Sequence, residues 1–246
     1  MKPILKIKGL KKSFGSFEVL KGVNLEIPAR SLTFIMGQSG TGKSVLLKHI
    51  VGLLKPDEGE IWFEDKNIVK LSEKELQSIR KKIGFLFQEG ALFDSMTVKE
   101  NVMFPLREHF KLPKKQAEER VMELLKAVGL EHAAEKLPSE LSGGMRKRAA
   151  LARTLALNPE VVLFDEPTTG LDPILQVSIM ELIKRLKDEF GLTCIVVSHD
   201  VALSLKFADF VAFLYQGVIV EKGTSEEIRA SQHPFVREFL KSAFVE

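Results

Sequence analysis

The chain has a single cysteine, Cys194, among its 246 residues. One thiol excludes an internal disulfide and any metal site built from several cysteines. Cys194 lies in the apolar run at positions 193–197, which favours a buried structural thiol over a reactive nucleophile.

The sequence also lacks a charge excess and a long apolar run. It has 36 Lys and Arg against 33 Asp and Glu, and a net charge of +3 is too small to favour nucleic acid as a partner. No apolar run approaches the roughly 18 residues that suggest a membrane span. Residues 1–8 alternate charged with apolar residues, whereas a secretory signal needs an unbroken apolar centre. We therefore expect a soluble intracellular protein, which another chain must anchor if it works at a membrane.

Internal repeats and low-complexity linkers are absent as well, and the composition, 45% hydrophobic and 28% charged, is typical of globular proteins. Short apolar segments alternate with amphipathic helical patterns, which predicts an α/β fold with a parallel sheet covered on both faces. The candidate strands are residues 4–8, 25–27, 32–36, 60–63, 83–87, 161–164 and 193–197.

One stretch reads as mostly helical and predicts a subdomain, residues 89–154, inserted into an α/β core formed by residues 1–88 and 155–246. Thr97 is a good N-cap for its first helix, and Pro105 is expected to kink or end that helix. The tail, residues 225–246, predicts two short helices, the second beginning at Pro234.

A glycine-rich loop at residues 37–44 matches the pattern G-x-x-x-x-G-K-[ST], which a chain of this length matches by accident about 1% of the time. Its glycines let backbone N–H groups surround phosphate oxygens, and the helix that begins near Lys43 adds its positive end. Lys43 is placed for the β- and γ-phosphates, and the Ser44 hydroxyl for Mg²⁺. The flanking strand and helix disfavour the alternative, a plain turn with a solvated lysine. The candidate nucleotide-binding residues are Gly37, Ser39, Gly40, Thr41, Gly42, Lys43, Ser44 and Val45.

Two acids, Asp165 and Glu166, end the apolar strand at 161–164. The carboxyl edge of a parallel sheet is where ligands bind, so Asp165 is a candidate Mg²⁺ ligand and Glu166 a candidate base for the attacking water. Alone, the pair is equally consistent with helix-start acids. Beside the phosphate loop, the functional interpretation is favoured.

A second helix N-terminus is predicted at residues 141–144, where Ser142, Gly143 and Gly144 precede the helical run 146–156. Taken alone, the segment is better interpreted as an ordinary N-cap.

Six motifs occur in a fixed order: the phosphate loop, Gln88 after a strand, residues 141–144, the acids Asp165 and Glu166, residues 169–172 and residues 198–200. This series resembles the ABC transporter ATPase family across essentially the whole chain. The resemblance implies a P-loop NTPase of the ABC ATPase type, with a RecA-like core, an N-terminal antiparallel β subdomain and an inserted helical subdomain. It implies hydrolysis of MgATP between two copies packed head to tail.

The resemblance also implies roles for single residues. Glu166, His199, Gln88 and Lys43 would be catalytic, and His199 would bond the γ-phosphate. The residues at the Mg²⁺ ion would be Ser44, Gln88 and Asp165. The signature residues Ser142, Gly143 and Gly144 would meet the nucleotide held by the other copy, and Asp172 would cross the dimer interface. Phe14 would stack on adenine, or else be a core strand residue; the sequence leaves both open.

The segments 37–48 and 88–108, with Val45 and Met145 as departures from the common pattern, resemble the ATPases of MCE-type lipid transporters, above all the Mla phospholipid system. That resemblance implies a permease dimer, an MCE-domain substrate-binding protein, sometimes a small STAS-domain subunit, and a location on the cytoplasmic face of the inner membrane. A socket for the permease is expected among Leu92, Phe93, Val102 and Phe104, which are otherwise subdomain core.

Other functions stay open. An ATPase of a polar amino-acid importer has the same chemistry, a soluble ABC-type ATPase is disfavoured by the missing basic face, and a scaffold without turnover is the third alternative. The cations at residues 146–148 are interpreted as a solvated helix face.

Overall fold

A computed structural model of the chain describes residues 3–110 and 112–243, so the predicted tail 225–246 is described only to Ala243. The strands in these residues are β1 (Pro3–Phe14), β2 (Phe17–Pro28), β3 (Leu32–Met36), β4 (Glu58–Phe63), β5 (Lys66–Asn67), β6 (Ile83–Leu86), β7 (Val161–Asp165), β8 (Thr193–Ser198), β9 (Phe210–Tyr215) and β10 (Val218–Gly223). The helices are α1 (Lys43–Ile50), α2 (Glu73–Lys82), α3 (Val98–His109), α4 (Lys114–Ala127), α5 (Gly143–Leu155), α6 (Pro173–Phe190), α7 (Val201–Phe207), α8 (Ser225–Arg229) and α9 (Pro234–Ala243).

The larger sheet has six strands in the order β10-β9-β3-β8-β7-β6. Strands β9, β3, β8, β7 and β6 are parallel, and β10 is an antiparallel edge strand. Successive residues of β3 pack into different hydrophobic cores. Phe34 belongs to the cluster that includes residues of α5 and α6, and Ile35 belongs to the cluster that includes residues of α1. The predicted parallel sheet, buried on both faces, is confirmed.

The smaller sheet is antiparallel, with the order β2-β1-β4-β5. Its buried side chains, among them Leu5, Leu25 and Ile61, join the core cluster that also contains Leu46 and Leu47 of α1. Helix α1 therefore shares one core with residues from both sheets, which fixes the phosphate loop in front of it.

Between β6 and β7 the described residues form helices α3, α4 and α5 and no strand. Val98, Val102 and Leu106 of α3 are buried together with Val121 of α4 and Ala149 of α5. The division into a core and an inserted subdomain at residues 89–154 stays a prediction.

Of the two effects expected of Pro105, ending the helix is wrong, because α3 continues to His109. A kink there stays a prediction. A proline inside a helix costs about 3 kcal/mol. Thr97 caps the helix in a reciprocal capping box with Glu100, as predicted for Thr97, and Val102 and Leu106 are buried on either side of the proline. Burial of each such side chain contributes about 1.5–3 kcal/mol, which offsets the cost.

One end of α6 and one end of α9 lie where a glycine and a proline favour them. Gly191 terminates α6 in the left-handed conformation, with φ 66°, and Pro234 begins α9. In residues 3–110 and 112–243, every helix is too short or too polar to span a bilayer.

His49 of α1 should make the fold less stable in mild acid. It is 1% exposed, its Nδ1–H donates to the Val45 carbonyl at 2.7 Å, and burial lowers its pKa. The unfolded chain then binds the proton more readily than the folded chain, so the stabilisation is present above the ordinary histidine pKa of about 6.5 and is lost as pH falls below it. Denaturant unfolding at pH 7.5 and 5.5 should show this loss for the native chain and for His132→Gln, an exposed control, but a smaller loss for His49→Gln.

Candidate functional site

The candidate site lies at one edge of the six-stranded sheet, where four parallel strands end side by side. Met36 of β3 is opposite Ser198 of β8, and Asp165 of β7 is opposite Val197 of β8. The segments that follow β3, β8, β7 and β6 carry, in that order, the phosphate loop, His199, Glu166 and Gln88. Residues far apart in the sequence thus come to one edge, where ligands bind in such sheets.

The phosphate loop approaches its neighbours so closely that two of its positions admit only glycine. A Cβ on Gly37, where φ is 154°, would lie 2.3 Å from the Leu214 carbonyl oxygen. A Cβ on Gly42, where φ is 97°, would lie 2.7 Å from Cγ1 of Val19. Val19, which the sequence did not single out, therefore packs against this loop.

Lys43 extends into the middle of this loop and is only 5% exposed. Its ammonium donates to the carbonyls of Gly37 at 2.8 Å and Gln38 at 2.7 Å. Burial lowers the pKa of Lys43, while Glu166 and Asp165 oppose that shift. The ammonium is thus already positioned where a phosphate group would meet it.

Ser44 and Asp165, distant in sequence, are in direct contact: the Ser44 hydroxyl donates to Oδ1 of Asp165 at 2.8 Å. A hydroxyl and a carboxylate are oxygen donors of the kind that Mg²⁺ prefers, so the pair fits that ion. Gln88, the third predicted ligand, lies exposed two residues beyond β6.

The Glu166 carboxylate contacts Thr169 and His199. Its backbone has φ 49°, an uncommon conformation for a residue with a side chain, and its N–H donates to the Val197 carbonyl at 3.1 Å. Oε2 accepts a hydrogen bond from the Thr169 hydroxyl at 2.8 Å and lies 3.3 Å from Nδ1 of His199. The contact with Thr169 was not expected, because its motif pointed only to Asp172.

The second predicted cradle is the N-terminus of α5. Ser142 caps it by accepting a hydrogen bond from the Met145 N–H at 3.3 Å, and Ser142 is exposed. Gly143 and Gly144 lie against Leu171 and Leu175, respectively. The ordinary N-cap interpretation and the nucleotide interpretation are therefore compatible, since the cap leaves other N–H groups of the first turn available.

Asp172 caps α6: its Oδ1 accepts from the backbone N–H groups of Ile174 and Leu175 at 3.1 and 3.0 Å. Its predicted contact across a dimer interface stays a prediction.

Phe14 is not a core strand residue, so that alternative is wrong. It ends β1 at the turn to β2, where it is 49% exposed, and the Lys12 ammonium lies 5.6 Å from the centre of its ring. About half of the Phe14 side chain is therefore accessible from solvent.

Two further interpretations are corrected by the structure. Of the cations at 146–148, Lys147 and Arg148 are half-buried: Lys147 donates to the Gln88 carbonyl, and Arg148 to the Ser178 hydroxyl at 3.1 Å. The charge pattern cannot reveal that α5 lies against the segment that carries Gln88. Val102 is fully buried and so cannot line a socket, whereas Phe93 is exposed.

The chain is similar to known proteins over most of its length. The profile of the family described as "ABC transporter" matches residues 20–169. The intermembrane phospholipid transport system ATP-binding protein MlaF of Haemophilus influenzae is 46% identical over 97% of this chain and 90% of its own length. The probable ribonucleotide transport ATP-binding protein mkl of Mycobacterium leprae is 44% identical over 96% of this chain and 68% of its own length.

Solved structures show the same architecture. CbiO1 from Clostridium perfringens, part of the ABC transporter complex CbiONQ, superimposes with a TM-score of 0.88 at 34% identity, covering 98% of this chain and 96% of its own. The ATP-binding cassette MJ0796, dimeric and bound to ADP and Pi, gives a TM-score of 0.81 at 37% identity over 90% of this chain and 98% of its own. The chain therefore belongs to the ABC transporter family, as an ATP-binding cassette with ATPase activity.

Proposed function

We propose that this chain is the ATPase of an ABC transporter that moves phospholipid between envelope membranes, and that it works on the cytoplasmic face of the inner membrane. The observation that supports the cargo is the 46% identity, over nearly the whole chain, to a phospholipid transport ATPase. The chemistry is supported by the sheet edge, where Lys43, Ser44, Asp165, Glu166 and His199 converge.

The phosphate loop would hold the triphosphate with its backbone N–H groups and with the ammonium of Lys43, released from the Gly37 and Gln38 carbonyls. Glu166 would accept the proton of the attacking water, and His199, 3.3 Å away, would orient that carboxylate and hydrogen-bond the γ-phosphate. Bound Mg²⁺, held by Ser44, Gln88 and Asp165, would screen the phosphate charge.

A second copy completes the site. Ser142, Gly143 and Gly144 present a helix N-terminus and an exposed hydroxyl, which suit a γ-phosphate. The similar cassette MJ0796 is dimeric with ADP and Pi bound, which supports a pair of copies. In the proposed pair the copies pack head to tail, with Asp172 near the seam. Binding and loss of the γ-phosphate would then close and open the pair.

A permease dimer, an MCE-domain substrate-binding protein and a small STAS-domain subunit are the proposed partners. A docking surface for the permease is supported by Phe93, which is 42% exposed and lies 4.8 Å, ring centre to ring centre, from the half-buried Phe104. Leu92 is half-buried beside them. An exposed aromatic side chain next to other apolar side chains is typical of surfaces that another protein covers.

The test is to purify the chain with its membrane partners and to measure ATP-dependent transfer of a labelled phospholipid between vesicles. We expect transfer in the native complex and none in a Glu166→Gln complex, with phospholipid among the copurified molecules. Stimulation of hydrolysis by an amino acid or a ribonucleotide, without lipid transfer, would contradict the cargo but not the ATPase.

Phe14 should contribute to ATP affinity by stacking on adenine. Stacking of a base on an aromatic ring contributes about 1–3 kcal/mol, so Phe14→Ala should weaken ATP binding about 5- to 150-fold, and Phe14→Tyr should preserve it. Phe17, across the same turn and 66% exposed, is the matched control, and Phe17→Ala should bind ATP normally. Titration with a fluorescent nucleotide measures both, and equal affinities for the two alanine variants would remove Phe14 from the site.

A further inference from the structure

Arg153 of α5 holds the segment that carries Gln88. This segment, the Gln88 loop, comprises residues 87–97 between β6 and α3. The guanidinium of Arg153 donates to the Ala91 carbonyl at 2.7 Å and to the Gly90 carbonyl at 2.8 Å. It also lies over the ring of Phe93, 5.8 Å from its centre. One side chain thus makes three contacts with the loop.

The loop lies directly on α5. Gly90 has φ 75°, and a Cβ there would be 3.1 Å from Cβ of Ala150. Lys147 donates to the Gln88 carbonyl, and burial lowers the pKa of its ammonium, a shift that Glu89 and Glu166 oppose. Lys147, Ala150 and Arg153 are three residues apart in turn, so one stripe of α5 faces the loop.

The far end of the loop is tied to α3. Asn101, which is fully buried, donates to the carbonyls of Phe93 and Met96 at 3.1 and 3.0 Å and accepts from the Phe93 N–H at 2.8 Å. The loop is therefore bonded to both helices, and a movement of α5 must be transmitted to Gln88 or break these bonds.

We propose that Arg153 is a positioning residue for Gln88, which transmits the engagement of the α5 N-terminus to the Gln88 loop of the same copy. The inference rests on the proposed function, in which Ser142 at that N-terminus meets the nucleotide held by the second copy. Each α5 would then link the nucleotide site of one copy to the Gln88 of the other site. A guanidinium suits this task, because its fixed fork reaches two adjacent carbonyls at once.

The test compares Arg153→Met with Arg153→Lys, and with Arg148→Met as the control from the same helix. In the assembled complex, Arg153→Met should lower kcat about tenfold while ATP affinity stays within about twofold, because the interaction is needed in turnover and not in binding. Amide hydrogen exchange in residues 88–93 should become faster. Arg153→Lys, whose ammonium can reach one carbonyl, should recover part of kcat. Arg148→Met should change neither kcat nor the exchange rate in residues 88–93.

A double-mutant cycle with Gln88→Ala decides whether Arg153 acts through Gln88. In the Gln88→Ala background, Arg153→Met should cause no further loss of kcat. A further tenfold loss there, or unchanged exchange in residues 88–93, would overturn the inference. If Arg153→Met does not fold, Arg153→Lys is carried through the same cycle, with a smaller loss expected only when Gln88 is present.

The same measurements separate this inference from the proposed function. Suppose that the native complex hydrolyses ATP, that Glu166→Gln does not, and that kcat is unchanged in both Arg153 variants. This result would overturn the inference about Arg153 and leave the proposed function standing. A native complex without hydrolysis would overturn both.

Discussion

Replacing Glu166 with glutamine is expected to lower kcat for ATP about 10²- to 10⁴-fold, the range by which general bases contribute. The amide has nearly the same shape and can still accept the Thr169 hydrogen bond, which is 2.8 Å long in the native chain, so the local structure should persist. It cannot accept the proton of the attacking water. Phosphate release measures the loss, and a fluorescent nucleotide should show ATP affinity within a few fold of the native value.

Glu181→Gln is the control for this change. Glu181 is exposed on α6, and its replacement removes the same charge without contacting the site. Its kcat should equal the native value. A Glu166→Gln chain that retained more than a tenth of the native rate would place the base elsewhere, and His199 would then be the group to replace next. Trapping of MgATP by the Glu166→Gln chain would in turn supply a stable closed state for structural work.

The sheet edge itself could be predicted because each of its elements has a local signature. The apolar runs before Gly37 and Asp165 have strand length, and the pattern that follows each is helical, so parallel strands with a common carboxyl edge were the consistent solution. The phosphate loop needs no distant partner to be recognised, since its glycines and Lys43 are contiguous in sequence. These predictions agree with the structure for that reason.

What the sequence did not reveal depends on contacts between distant residues. The bonds from Arg153 to Gly90 and Ala91 span more than sixty residues, and nothing in the charge pattern of α5 distinguishes Arg153 from Arg148. The continuation of α3 past Pro105 could not be predicted for a similar reason, since the burial that keeps α3 intact comes from helices elsewhere in the chain. Local propensity is a weak guide wherever tertiary packing decides.

The contact between Glu166 and Thr169 belongs to the same class, although the two residues are close in sequence. It depends on the positive φ of Glu166. A residue with a Cβ adopts that conformation only where its surroundings hold it, and here the Val197 carbonyl, which belongs to the neighbouring strand, accepts its N–H. The uncommon backbone conformation therefore lies at the proposed base itself, where it orients the carboxylate. A pattern of residues in the sequence cannot reveal such a conformation.

Ser142→Arg is expected to abolish the ATP-dependent pairing of two copies. In a Glu166→Gln background, MgATP should accumulate as a closed dimer, because the nucleotide is bound but not hydrolysed. Ser142→Arg removes the N-cap hydroxyl, at a cost of about 1 kcal/mol, and fills the exposed end of α5 with a long side chain, where a phosphate has to approach backbone N–H groups. A symmetric pair has two such sites, and the substitution weakens the contact at both. The association constant of the dimer should therefore fall at least about a hundredfold.

Light scattering with and without MgATP measures this pairing, and Ser139→Arg is its control. Ser139 is also exposed, three residues before Ser142, and receives the same side chain without facing the proposed nucleotide. Loss of pairing only in Ser142→Arg, with MgATP still bound to each separated copy, assigns Ser142 to the nucleotide of the other copy. If Ser142→Arg instead lost nucleotide binding as a monomer, Ser142 would serve its own copy, and the two cradles would belong to one site within a single chain.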